Sequence, residues 1–209
     1  MFKKFIEYVG NNFRNPNGIG GKITTKIMNI MNQKQYKAVL DNLNFENNDV
    51  LLDIGFGNGY LINKLLKKNN NIKIFGIDIS KDMVNIVSKI FKKHIDNNCL
   101  TLLLENLNNK TTFKNEMFNK IYTVNTIYFW DDLQKCFSEI KRILKPNGIF
   151  INAIYTKKQL DKTKFSKKGF NKYTKEEIIK ITEENGMTIK KIIEIKENIS
   201  YCIISEYVK

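Results

Sequence analysis

"LLDIGFGNGYL", residues 51–61, sets Asp53 and then Gly55, Gly57 and Gly59 at the end of an apolar run. A short, nearly continuous apolar segment that stops in glycine is the pattern of a strand buried on both faces. Three glycines within five residues leave the backbone bare just beyond it. Glycine permits close approach of a ligand and positive φ angles that other residues resist. In open parallel sheets, ligands bind beyond the carboxyl ends of the strands, near the point where strand order reverses.

Dinucleotide-binding loops use GxGxxG, with a pyrophosphate on the helix N-terminus. The spacing here is GxGxG, with an acid two residues ahead of the first glycine. An acid so close to the loop suits an ammonium group better than a phosphate. Asp78, which closes the apolar run of "IKIFGIDIS", follows Asp53 by 25 residues. At that place in nucleotide folds a carboxylate accepts hydrogen bonds from ribose hydroxyls. The pair therefore specifies a ligand with a ribose and a cationic amino-acid end, without a diphosphate.

Outward from the loop, strand-like and helical patterns alternate. Leu61, Ile62, Leu65 and Leu66 give a helical face. Ser80 is placed to cap a helix whose apolar residues run from Met83 through Val84, Val87, Ile90 and Phe91 to Ile95. "CLTLLLEN" and "KIYTVNTIYF" read as the third and fourth strands. The stripe Leu133, Cys136, Phe137, Ile140, Ile143, Leu144 reads as a helix stopped by the turn "KPNG" at 145–148, and "IFINAIY" follows as the fifth strand. "TKEE" at 174–177 is a capping box, and the helix it opens ends at Asn185-Gly186. Two final strand-like runs, "MTIKKIIEIK" and "ISYCIISEYV", are close enough for an antiparallel hairpin. The expected fold is α/β: a Rossmann-like, seven-stranded, mostly parallel sheet with helices on both faces and an antiparallel C-terminal hairpin.

The first 48 residues differ. Phe2, Phe5, Ile6 and Val9 suggest a short helix, "RNPNGIGGK" a break, and the stripe from Ile23 to Leu43 a second helix. The expected division is an N-terminal helical cap or lid, 1–48, and one compact sheet domain, 49–209.

Composition narrows the function classes. Apolar residues make up 42% of the 209, which suits a single globular core. No apolar stretch approaches the ~18 residues of a membrane span. Cys99, Cys136 and Cys202 are scattered without a CxxC pair, so a reducing cytoplasm fits. His94, Asp96 and Cys99 straddle a helix end and a loop, and no metal is expected. The net charge of +14 invites a nucleic-acid reading. However, 33 of the 35 basic residues are lysines spread over the whole chain, beside 29 asparagines, which is a compositional bias rather than an arginine-rich phosphate-reading face.

"VLLDIGFGNGY", "GIDIS", "FNKIYTVNTIYFWDD" and "EIKRILKPNGIF", in this order, resemble the class I S-adenosylmethionine-dependent methyltransferases. The last stretch is most similar to the small-molecule "type 11" branch. The resemblance implies S-adenosyl-L-methionine as cofactor, leaving S-adenosyl-L-homocysteine as product. It implies that Gly55, Gly57 and Gly59 border the methionine moiety, with Asp53 near its ammonium. Asp78 would hold the ribose, Ile79 and Met83 would flank the adenine, and Asn125 would lie near the methionine. Where relatives carry an acid for the adenine amino group, the stretch here is "LENLN", leaving Asn106 or Leu107 for that place.

The expected reaction is in-line methyl transfer to an O, N or S nucleophile of a small molecule. "NTIYFWDD" would form the acceptor wall through Tyr128, Phe129 and Trp130; histidines that some relatives place there are missing. Phe170 and Tyr173, in the segment 156–173 with its seven lysines, are further wall candidates; the segment reads first as a solvated surface loop, and as a second reading its lysines would favour an anionic acceptor. The "NPNGIGGK" loop is a candidate lid. The alternatives are an RNA or protein methyltransferase, or a catalytically silent cofactor-binding protein. No base-methylation motif and no appended RNA-binding module supports the first. The expected state is a cytoplasmic monomer or homodimer, away from membranes and nucleic acid.

Overall fold

A computed structural model of the chain describes residues 18–68, 71–163, 166 and 169–208, with side chains of the first helix from Asn29 onward. Along it run α1 (Gly18–Asn42), β1 (Val50–Ile54), α2 (Tyr60–Lys68), β2 (Lys73–Asp78), α3 (Lys81–Ile90), α4 (Lys92–Asp96), β3 (Leu100–Leu104) and β4 (Phe118–Val124). A 3-10 turn (Ile127–Phe129), α5 (Leu133–Ile143), β5 (Leu144–Tyr155), α6 (Lys157–Lys162), α7 (Lys175–Glu184), β6 (Thr188–Lys196) and β7 (Ser200–Glu206) complete it.

The seven strands form one sheet in the order β3-β2-β1-β4-β5-β7-β6. The first five in space are parallel, whereas β7 runs antiparallel to both β5 and β6. The chain winds outward from β1 to β3, then returns to lay β4 on the other side of β1. That reversal leaves a crevice beyond the carboxyl ends of β1 and β4. The expected fold is the one observed.

Alternate residues of each strand feed two cores. Leu52, Ile54, Ile121, Phe150 and Ile154 face the side covered by Phe137, Ile140 and Ile143 of α5 and Ile178 of α7. Leu51, Tyr122, Ile151 and Ala153 face the other side, under Val39 and Leu43 of α1, Leu61 and Leu65 of α2, and Met83 and Val87 of α3. Local signals hold: the Ser80 side chain accepts from the Met83 N–H, and Thr174 and Glu177 form the reciprocal capping box.

Three local expectations are revised. Gly18, Gly20 and Gly21 of the expected loop are helical, in the first turn of α1, so no loop remains over 18–22 to serve as a lid. Glycine lowers helix stability by only about 1 kcal/mol each and does not forbid a helix. The short helix through Phe2, Phe5, Ile6 and Val9 lies outside the described residues. "KPNG" is an irregularity within β5 rather than a free turn: Phe118 pairs with Leu144 and Lys120 with Ile149, so four residues bulge. Residues 157–162, expected as loop, form α6, because Thr156 accepts a hydrogen bond from the Gln159 N–H at 3.0 Å and caps it.

Asparagine takes over work usually done by glycine. Asn44, Asn48, Asn98, Asn125, Asn147 and Asn198 all adopt positive φ, which the short amide side chain tolerates better than most. Asn198 at φ 53° turns the three-residue connection between β6 and β7.

Candidate functional site

β1 delivers Asp53 to the crevice and turns sharply at Gly55, where φ is +72° and a Cβ would lie 2.3 Å from Thr126 Cγ2. Only glycine fits there, on both counts. Gly57, at φ +54°, has nothing within 4 Å of its Cβ position and borders open space. Gly59 does not line the cleft: its Cβ position lies 2.9 Å from Val87 Cγ1, so this glycine brings α3 close to the loop. Met83, expected beside the adenine, is buried in the α1-side core and is likewise absent from the cleft.

Asp78 ties the loop to β2. Its Oδ2 accepts from the Gly57 N–H at 2.8 Å and its Oδ1 from the Ser80 N–H at 2.9 Å. Burial raises this carboxyl, and the backbone donors partly offset it. A carboxylate offers about four lone-pair positions, so both oxygens still have capacity for a ligand hydroxyl. Asp53 is only 3% exposed. Burial pushes its carboxyl up to about 8, and the neighbouring Asp78 adds to the rise. The Tyr122 hydroxyl faces it without a hydrogen bond of ordinary geometry.

The structure brings Asp53, Gly55, Gly57, Asp78, Ile79, Asn106, Leu107 and Asn125 into this one cleft. Sequence reasoning missed three groups of its wall. From α1 come Asn29, Asn32 and Tyr36, and from the start of α2 comes Tyr60, whose ring stacks on Tyr36 at 4.7 Å. Burial raises the Tyr36 phenol to about 12, so it is neutral. Glu105 is the third: its Oε2 is buried without a hydrogen-bond partner, while Oε1 accepts from Thr112. By contrast Asn106 is exposed and its side-chain oxygen accepts from the Asn108 N–H, and Leu107 is buried. The described lining thus holds three acids, Asp53, Asp78 and Glu105, and no Lys, Arg or His. A donor set of carboxylates, amides and a bare backbone fits a cation with hydroxyls and rejects a diphosphate.

Asn125, at φ 59° beyond β4, stands at the far wall. Its Nδ2 donates to Asn32 Oδ1 at 3.0 Å, and its Oδ1 accepts from the Tyr128 hydroxyl at 3.0 Å. Tyr128 in turn accepts from the Tyr155 N–H, and the Tyr155 hydroxyl donates to the Met31 carbonyl at 3.0 Å. Burial raises both phenols. The junction is a neutral network that holds α1 against the ends of β4 and β5.

On the other side of that network lies a second cavity of about 400 Å³. It shares Asn32, Asn125 and Phe129 with the first cleft. Tyr128, Phe129 and Phe170 form its aromatic wall, with Phe170 stacked on Tyr128 at 5.9 Å and meeting Phe129 edge-on at 4.8 Å. Of the other expected wall residues, Trp130 lines the first cleft, and Tyr173 packs against the α5-side core. Among the described residues, none of the 156–173 lysines lines this cavity; its lysines are Lys34 and Lys196.

Residues 52–152 match the family model of the methyltransferase domain. Over this segment, just under half of the chain, the protein is similar to methyltransferase domains. The matched segment runs from β1 into β5, so it contains the glycine loop, Asp78 and Asn125 but neither α1 nor the C-terminal hairpin. The chain is 27% identical over 122 residues to the protein of Bacillus subtilis named uncharacterized methyltransferase YdaC. That alignment takes in 58% of this chain and 65% of the relative, less than two thirds of the relative's length. Among solved structures, a SAM-dependent methyltransferase from Aquifex aeolicus superposes with a TM-score of 0.70 at 20% identity, over 88% of this chain and 98% of that one. Geranyl diphosphate C-methyltransferase from Streptomyces coelicolor, solved with S-adenosyl-L-homocysteine, gives 0.70 at 15% identity, over 84% and 77%. At these identities the likeness is one of fold, and it extends well beyond the matched segment.

Proposed function

We propose that the protein transfers the methyl group of S-adenosyl-L-methionine to an O, N or S nucleophile of a small molecule. The observation that carries this reading is a pair of cavities that share the wall residues Asn32, Asn125 and Phe129, one acidic and edged by bare glycine backbone, the other aromatic. Asp53 and the stacked Tyr36–Tyr60 pair would hold the ammonium end, a carboxylate and π-faces both favouring a cation. Gly55 and Gly57 would admit the methionine portion against the backbone. Asp78 would take the ribose, Ile79 would flank the adenine, and Glu105 Oε2 would accept from its amino group. When bound, the cofactor supplies an electrophilic methyl carbon on a sulfonium, displaced in line by the acceptor's lone pair.

The chain's own contribution is orientation and exclusion of water. Among the described residues of the shared wall there is no His, Cys, Asp or Glu, and both junction phenols are neutral. In this reading the acceptor presents its lone pair without a base from the described residues of that wall. α1 covers the space between the two cavities, which favours a small acceptor over a polymer.

Isothermal titration with S-adenosyl-L-homocysteine tests the donor site: wild-type protein should bind, and Asp78→Ala should lose binding. A wild-type protein that fails to bind overturns the proposal. Methyl-transfer assays on a metabolite panel and on total RNA then distinguish a small acceptor from a polymer.

A further inference from the structure

The two cavities, which share a wall, differ in sign. The described lining of the donor cleft carries three acids and no base, whereas that of the second cavity carries Lys34 and Lys196 and no acid. Neither lysine forms an ion pair among the described residues, and both are absent from the wall shared with the cleft. The remainder of the second cavity is apolar, amide or hydroxyl, with Ile30 and Met31 of α1, the Tyr128–Phe129–Phe170 wall, Gln159 of α6, and Thr163 and Ser200. A cationic acceptor amine would meet two like charges there and find no counter-charge. An anion would meet two lysines and an aromatic surface in the same lining.

We propose that the second cavity binds a small organic anion with an apolar body, an aryl- or alkyl-carboxylate in chemical class, and that Lys34 and Lys196 select for its charge. The inference rests on reading the first cleft as the methyl-donor site, and it deepens the proposed function by naming the acceptor's class. The charge difference also separates donor from acceptor, since the cationic donor is attracted to the acidic cleft and repelled by the basic cavity. The sequence offered the 156–173 lysines only as a second reading beside a solvated loop; the folded chain brings the cavity's charge from α1 and from the end of β6.

The test uses the full chain and 8-anilinonaphthalene-1-sulfonate, a fluorescent anion with an apolar body, displaced in turn by 4-phenylbutyrate and by 4-phenylbutylamine. The butyrate should displace the dye at least about tenfold better than the amine. Lys34→Gln with Lys196→Gln should weaken both anions about tenfold, the loss expected for two charge-assisted contacts at exposed positions. Lys89→Gln with Lys93→Gln removes the same charge from a remote surface and should leave dye binding unchanged. Equal displacement by the amine, or undiminished anion binding in the Lys34/Lys196 double variant, overturns the inference. Homocysteine-cofactor titration on the same samples should give unchanged affinity in both double variants. Anion selectivity without any S-adenosyl-L-homocysteine binding would support the cavity's charge preference and overturn the donor reading.

Discussion

Replacing Asp53 by asparagine should stabilise the free protein and weaken cofactor binding, and the two effects have one cause. The carboxyl is almost wholly buried, and its pKa is pushed up from 3.8 to about 8. With the folded value raised, the native state retains a proton that the unfolded chain releases, so stability falls as pH rises from 3.8 to about 8. The loss is about 1.4 kcal/mol per pH unit, or about 4 kcal/mol by pH 7. Asparagine keeps the shape and never ionises. The stability of Asp53→Asn minus that of wild type should therefore climb with pH across 4–8 and level off above, as read from urea unfolding at a series of pH values. An ammonium placed beside the carboxyl favours its ionised form, so ligand binding at pH 7 should expel close to one proton. Titration with S-adenosyl-L-homocysteine in phosphate and in Tris would reveal this as a buffer-dependent enthalpy. A stability difference flat across pH, together with buffer-independent binding heats, would refute the reasoning.

Gly55→Ala should cost about 3 kcal/mol in urea unfolding, because the new methyl meets Thr126 Cγ2 at a positive φ. Gly57→Ala meets open space, so it should cost about 1 kcal/mol of backbone strain while reducing cofactor affinity in calorimetry. Arg142→Met should destabilise by about 3 kcal/mol. The guanidinium reaches Glu139 through Nε at 2.7 Å and the Phe113 carbonyl at 2.9 Å, and it leaves a buried carboxylate unpaired when removed. Burial acts to raise the Glu139 carboxyl, but hydrogen bonds from Arg142 and Thr111 outweigh it and hold the group below its ordinary 4.5. That contribution is present above 4.5 and is lost as pH falls through the depressed folded value, so the variant and wild type should converge in stability in acid.

The legible part of the chain was the part whose signals are local. The apolar run ending in Gly55, the Ser80 cap and the Thr174–Glu177 box each depend on neighbours a few residues away, and each is found as expected. The turn of Asn198 into the C-terminal hairpin is equally local. Asp53, Asp78 and Asn125 reach the cleft because a strand's carboxyl end fixes where its last side chains lie. Gly59 and Met83 lie outside the cleft lining because spacing along a loop or helix does not say which side faces a cleft; at both positions packing against α3 or within the core decides.

Asn29, Asn32 and Tyr36 entered the donor cleft unforeseen, because the glycines ahead of them signal a break and nothing local reports that α1 will lie across the sheet. Lys34 and Lys196 are separated by 162 residues and carry no motif; they are two among 33 lysines until the hairpin and α1 bring them to one cavity. The sequence by itself therefore determined the order of strands and helices and the acidic, glycine-edged character of the loop, since these follow from periodicity and from which backbone angles glycine allows. Only the tertiary structure decided the second cavity and the sign of its charge. Those depend on contacts between residues far apart in the chain, and burial, not spacing, selects which side chains make them.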